Sequence, residues 1–330
     1  MSGRSGVRQI DRIEGLTMVA GGQRGDWVHF ALMVAALGLA YAMPFELLIL
    51  ARAVLGPAHY TTEISWLHDR GYFLKRRSVA AVLAIVAVGV SLANYAPWSG
   101  FIIWAAFVVS AAAAATRSSR QTGLLLIAAG ALTTIMFVKS PALAVTGALL
   151  TTVVHASLFT LVFMGLGAWR TQSRVQAALI GAYIAAIALL VVFPPSEATA
   201  VVPVFADLTH RYFVSLGQPL GALFGIGDLS IDRVAGLFAF IYAYHYLNWF
   251  IKAEVIRWAN IPPRRWVTIG VVYAASTGLY FYDFALGFSV VMALSFMHVI
   301  LEFPLDALAV RQLGEVIAGS LFGGLRERRV

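Results

Sequence analysis

The chain contains no cysteine among its 330 residues. That excludes a disulfide scaffold, a thiolate zinc site, an iron–sulfur cluster and a thiol nucleophile. It is also poor in charge. Only 12% of residues are Asp, Glu, Lys or Arg, about half of the ~25% usual in a soluble domain. Internal repeats and low-complexity tracts are missing, as are the ~10-residue alternating segments of a membrane β-barrel. Short glycine-containing stretches such as GALFGIG (221–227) lack the strand–helix context of a dinucleotide site. The net charge of +8 comes with no extramembrane basic patch interleaved with stacking aromatics, so no nucleic-acid partner is expected.

What is present is apolar length. Hydrophobic residues make up 60% of the chain, and mean hydropathy is +0.81. Several runs approach or exceed the ~18 apolar residues that read as a membrane span. The expected fold class is therefore all-α, a polytopic transmembrane helix bundle forming a single integral membrane domain over 1–330. Spans are expected at 28–55, 78–97, 100–116, 121–138, 142–168, 175–194, 234–256, 266–284 and 286–303, about nine in all. Segment 195–233 is too polar to span and too apolar for a free loop, so an interfacial or re-entrant piece is expected.

The N-terminal segment MSGRSGVRQIDRIEG lacks the apolar core and cleavage site of a signal peptide. The first span is thus expected to act as the insertion signal, and the protein to reside in a bacterial inner membrane. Orientation follows from Lys and Arg. Arg70, Lys75–Arg77, Arg117, Arg120, Arg170, Arg174, Lys252, Arg257, Arg264, Arg265 and the RERRV tail fall in alternating loops, which places those loops in the cytoplasm. Nine spans would then put the N-terminus outside, although it carries Arg4, Arg8, Arg12 and Arg24. Either the rule fails there or 28–55 is a hairpin around Pro44.

Ionisable groups in hydrocarbon cost about 2.5–3.5 kcal/mol each when charged, so those placed there need a partner or a purpose. Four histidines lie in or beside separate apolar runs: His59 in GPAHYTTE, His155 in TTVVHASLF, His245 in YAYHYLNWF and His298 in SFMHVILEF. With the orientation above, all four reach similar depth in the cytoplasmic half. Glu63 follows His59 by four residues and Glu302 follows His298 by four, so each pair shares a helix face. Neutral imidazole suits iron, zinc or copper. A carboxylate one turn on can ligate or can orient an imidazole. Any single membrane histidine reads equally as an interhelical hydrogen-bonding group; the coincidence of four is the stronger signal. His29 and His210 read as interfacial. Glu46 reads as a proton or substrate group, or as a buried partner for Arg52.

These stretches resemble the Brp/Blh family of membrane β-carotene dioxygenases, whose histidines lie on separate transmembrane helices. GPAHYTTE resembles the family's P-H-G-x-x-D context through His59, with Glu63 for Asp; VVHASLFT resembles I-H-F-G-x-x-D through His155. YHYLNWF resembles H-S-x-x-H through His245, with Trp249 at the second histidine, and MHVILEF resembles P-H-M-x-x-x-D through His298, with Met297 for Pro and Glu302 as the acid. The resemblance implies non-haem Fe(2+), with Zn or Cu as alternatives, held by His59, His155, His245 and His298. It also implies O₂ as co-substrate and an apolar isoprenoid, carotenoid or lipid drawn from the bilayer. Glu63 and Glu302 would orient ligands or complete the coordination sphere, and HYTTEISWLHDR would form the cytoplasmic mouth. The competing expectation is a transporter, or an assembly subunit, whose polar groups line a pathway. Convergence of the imidazoles separates a metal site from a pathway that spreads them along its depth.

Overall fold

The computed structural model describes residues 22–70, 141–195, 201–252 and 258–326, with isolated positions between 84 and 139. The spans expected at 78–97, 100–116 and 121–138 lie outside the continuously described residues. Among the described residues every regular element is helical. Ten α-helices follow one another: α1 (Gly22–Ala42), α2 (Pro44–Leu50), α3 (Gly56–Arg70), α4 (Pro141–Thr171), α5 (Arg174–Val192), α6 (Pro203–Phe213), α7 (Gly217–Phe224), α8 (Ile231–Ile251), α9 (Pro263–Tyr282) and α10 (Phe284–Arg326). Five are long and apolar enough to cross a membrane, over Gly25–Ala42, Val153–Thr171, Arg174–Val192, Ile231–Ile251 and Phe284–Phe303. The predicted span at 266–284 is helical, as α9, but is not among those five.

Local chemistry explains the boundaries. Proline opens α2, α6 and α9, where its missing N–H costs nothing. Ser173 caps α5 by accepting from the Gln176 N–H, and Ser230 caps α8 by accepting from the Arg233 N–H. Asp283 separates α9 from α10 and accepts the Leu286 N–H. The turn there is so close that a Cβ on Gly287 would stand 2.1 Å from the Tyr280 Cα, which only glycine tolerates.

Side-chain contacts give the helix directions. Asp26 near the start of α1 bonds Ser173 and Gln176 at the start of α5, while Tyr41 at its end donates to the Phe193 carbonyl beyond the end of α5. These two helices run parallel. Arg52 lies over the Tyr242 ring, Tyr60 bonds Tyr246, and Trp249 bonds Thr62, so α3 runs parallel to α8. Gly236, early in α8, abuts the Ala40 carbonyl at the end of α1, so α8 and α3 run opposite to α1. The predicted span 28–55 is therefore two segments. The helix breaks at Met43 (φ −149°, ψ 64°) and returns from Pro44. The return places Asp26 beside the loop that carries Arg170 and Arg174. The start of α1 thus lies at the same end of the bundle as the α4–α5 loop.

α8 is buried almost all round, with 78% of its span inside the bundle, which is the signature of a central helix. α1, α2, α3, α4, α5 and α6 pack against this centre. A π-helical turn, Ala51–Leu55, joins α2 to α3. Segment 203–229 forms two short helices followed by a return. A Cβ on Gly221 would overlap the Gly227 carbonyl at 1.3 Å, and the Leu229 N–H donates to the Gly217 carbonyl. α10 continues well past its apolar stretch, through Pro304 to Arg326.

Candidate metal centre

Parallel packing of α3, α4, α8 and α10 brings their four histidines to one level. Imidazole centroids are 4.9 Å apart for His59–His245, 5.3 Å for His59–His298, 5.8 Å for His155–His245 and 5.6 Å for His155–His298. His59, His155 and His298 are at most 3% exposed; His245 is half-buried.

Carboxylates close the cluster. His59 Nε2 stands 2.9 Å from Glu63, its neighbour one turn on. Glu302 does not turn back to His298. It reaches His155 Nε2 at 3.0 Å, across the α4–α10 contact. Glu63 and Glu302 both line one cavity beside the cluster. A third acid, Asp306, lies 3.3 Å from His155 Nδ1. Sequence reading missed it. His298, Glu302 and Asp306 follow at intervals of four along α10, a clear face signal, but Pro304 between them reads as a helix end. Asp306 enters the site because the helix continues through that proline.

Ligand atoms fall into two groups. Those of His59, His245 and His298 lie within 4.8 Å of one another, as do those of His155, His298 and Glu302. Several imidazole nitrogens, including His59 Nδ1 and His245 Nε2, make no hydrogen bond among the described residues. Unsatisfied buried donors and acceptors are costly unless a further ligand takes them up. His245 is oriented by Thr160, whose hydroxyl lies 3.0 Å from Nδ1. With the Nδ1–H donated to that oxygen, the Nε2 lone pair points into the cluster.

Aromatic residues wall the site. Tyr60 stacks on His298 at 4.3 Å and its hydroxyl bonds that of Tyr246 at 2.5 Å. Trp249 donates its indole N–H to Thr62 and packs 5.5 Å from His59. A cavity of about 50 Å³ opens from the cluster toward the basic end, between His59, Glu63, His245, Glu302, Trp66 and Lys252. On the other face of α3 lies a separate groove of about 420 Å³, mostly apolar, between Ile64, Ile269, Val272, Leu294 and Met297, with His68 and Arg265 among its lining residues. Asp69 pairs with Arg265 at 2.6 Å.

The remaining polar residues stay apart. Glu46 accepts the Val202 N–H and, among the described residues, no ion pair joins it to Arg52. The Arg52 guanidinium lies over the rings of Tyr242, Phe288 and Phe213 at 5.0, 5.5 and 5.6 Å, and one of its nitrogens contacts the Met292 sulfur. His29 is buried and His210 is exposed.

Comparison of the chain with known proteins finds no matching family, curated protein or solved structure.

Proposed function

We propose that this chain is a membrane-embedded, metal-dependent oxidoreductase whose histidine cluster holds ferrous iron. The carrying observation is the convergence of four imidazoles from four helices on one buried level, with Glu63, Glu302 and Asp306 among them. A transport pathway would distribute such groups along its depth, and an assembly subunit would leave them satisfied by one another. Imidazole and carboxylate donors together suit a divalent first-row ion, for which iron fits better than the alternatives zinc and copper where O₂ chemistry is the task. Iron so held supplies one-electron and O₂ chemistry.

The chain's own residues do the rest. Thr160 and Asp306 hold His245 and His155 in fixed orientation. Trp249, Trp66 and the Tyr60–Tyr246 pair exclude bulk water. The cavity beside Glu63 and Glu302 is sized for a molecule such as O₂ or water. The apolar groove along α3 would receive the chain of an isoprenoid, carotenoid or acyl substrate arriving from the bilayer. That substrate class also follows the Brp/Blh resemblance of the four histidine stretches. The expected spans in a bacterial inner membrane, with 28–55 counted as two rather than one and the basic ends of α3, α4 and α8 in the cytoplasm, complete the reading.

Metal content of the detergent-purified chain tests it. Iron retained by the wild type and lost from His155→Ala and His298→Ala, with carotenoid- or lipid-dependent O₂ uptake, is the expected result. A folded wild type that takes up no metal on reconstitution would sink the proposal.

A further inference from the structure

We infer that the cluster binds two divalent ions rather than one; the inference rests on the metal-dependent reading above. An ion coordinated at about 2.0–2.2 Å requires its donors to lie within roughly twice that distance of one another. Two donor sets come close to that limit, His59–His245–His298 and His155–His298–Glu302. They share only His298. One ion seated among His59, His245 and His298 therefore leaves His155 and Glu302 as a second pair, 3.0 Å from each other, with no role in that sphere.

The acids fit the same division. Glu63 belongs to the first set through His59, and Glu302 to the second through His155. Both carboxyl groups line the one cavity beside the two sets. This is the position from which a carboxylate bridges two ions about 3.5–4 Å apart. Asp306 lies behind His155, where it fixes the ring through Nδ1 and leaves Nε2 for metal. The donor count agrees. Four imidazoles and two carboxylates fill one ion completely and leave no open position, whereas shared between two ions they leave open positions on both. The first set is nitrogen-rich and the second is mixed nitrogen and oxygen, a combination that suits iron or manganese in the second place.

The test is stoichiometry, with a magnetic readout. The full-length chain in detergent is equilibrated anaerobically with ferrous iron and desalted, and metal per chain is measured. A parallel sample is loaded with Mn(II) and examined by electron paramagnetic resonance. Two ions per chain and an exchange-coupled manganese spectrum are expected for the wild type. His155→Ala and Glu302→Gln are each expected to retain one ion and to show an isolated-ion spectrum. If His155→Ala does not remain monodisperse, the nearly isosteric Glu302→Gln carries the test. One ion per wild-type chain with an isolated spectrum would overturn the second site and leave the proposed function standing. Loss of both ions together from monodisperse Glu302→Gln would overturn the division into two sets. No ion in folded wild type would overturn both this inference and the function it rests on.

Discussion

Two buried polar regions share this bundle, and they solve the problem of charge in an apolar interior in opposite ways. The histidine cluster assembles lone pairs. Four imidazoles and three carboxylates from four helices point toward each other, and several nitrogens have no hydrogen-bond partner among the described residues. The Arg52 region, near the π-helical turn, assembles ring faces. There one fully buried cation sits over Tyr242, Phe288 and Phe213 and touches the Met292 sulfur, with no carboxylate paired to it among the described residues. The first arrangement leaves lone pairs that a cation from outside would take up under the proposed function, whereas the second already contains its own cation. Cation–π contacts in a desolvated site contribute about 2 kcal/mol or more, enough to hold a guanidinium as a structural element. Burial of polar groups alone therefore does not mark a functional site; the direction of the unused lone pairs does.

The contrast can be broken by substitution, and the largest effect belongs to the shared ligand. His298→Ala is expected to lower iron affinity by at least about 100-fold, beyond the cost of losing an outer-shell partner, as measured by equilibrium metal uptake. An affinity unchanged in this variant would place the ion elsewhere. Next come the residues that orient ligands. Asp306→Asn and Thr160→Val are each expected to weaken iron binding about 10–100-fold, with helical content by circular dichroism unchanged. If neither moves affinity, the His155–Asp306 and His245–Thr160 contacts are packing only.

The aromatic cage is expected to respond the other way. Arg52→Met gives up the cation–π contacts but also removes the cost of desolvating a buried charge, which is of similar or larger size. Arg52→Met should therefore keep stability in detergent within about 1 kcal/mol and leave metal per chain untouched. Loss of metal in Arg52→Met would show that the two regions are coupled and that the comparison is wrong. The smallest effect is expected from Trp249→Phe, which removes the hydrogen bond to Thr62 but keeps the ring. Interhelical hydrogen bonds of this kind average about 0.6 kcal/mol, so thermal unfolding should shift only slightly and metal content should hold.

Some of the site was legible in the chain and some was not. His59, His155, His245 and His298 stood out because imidazole is costly in long apolar runs. Glu63 and Glu302 stood out at four-residue spacing on the same faces. The partner of Glu302 was not legible. Spacing ties it to His298 on its own helix, yet its carboxylate reaches across to His155 on α4, because helix packing sets which faces meet. Asp306 was hidden by Pro304, which reads as a helix end. Thr160 carried no signal at all, since a threonine in an apolar helix becomes informative only once His245 is placed beside it.

The sequence by itself determined that the chain is helical and apolar enough to cross a membrane, where most of those helices begin, and which side chains were too polar for their surroundings. These are properties of composition and local spacing, and each can be read within a window of some twenty residues. Only the tertiary structure decided that 28–55 turns back at Met43, with the start of α1 beside the α4–α5 loop. It also decided that α3, α4, α8 and α10 run parallel, and that their histidines divide into two donor sets sharing His298. These depend on contacts between residues dozens to hundreds of positions apart, and local propensity carries no record of which apolar faces will pack together.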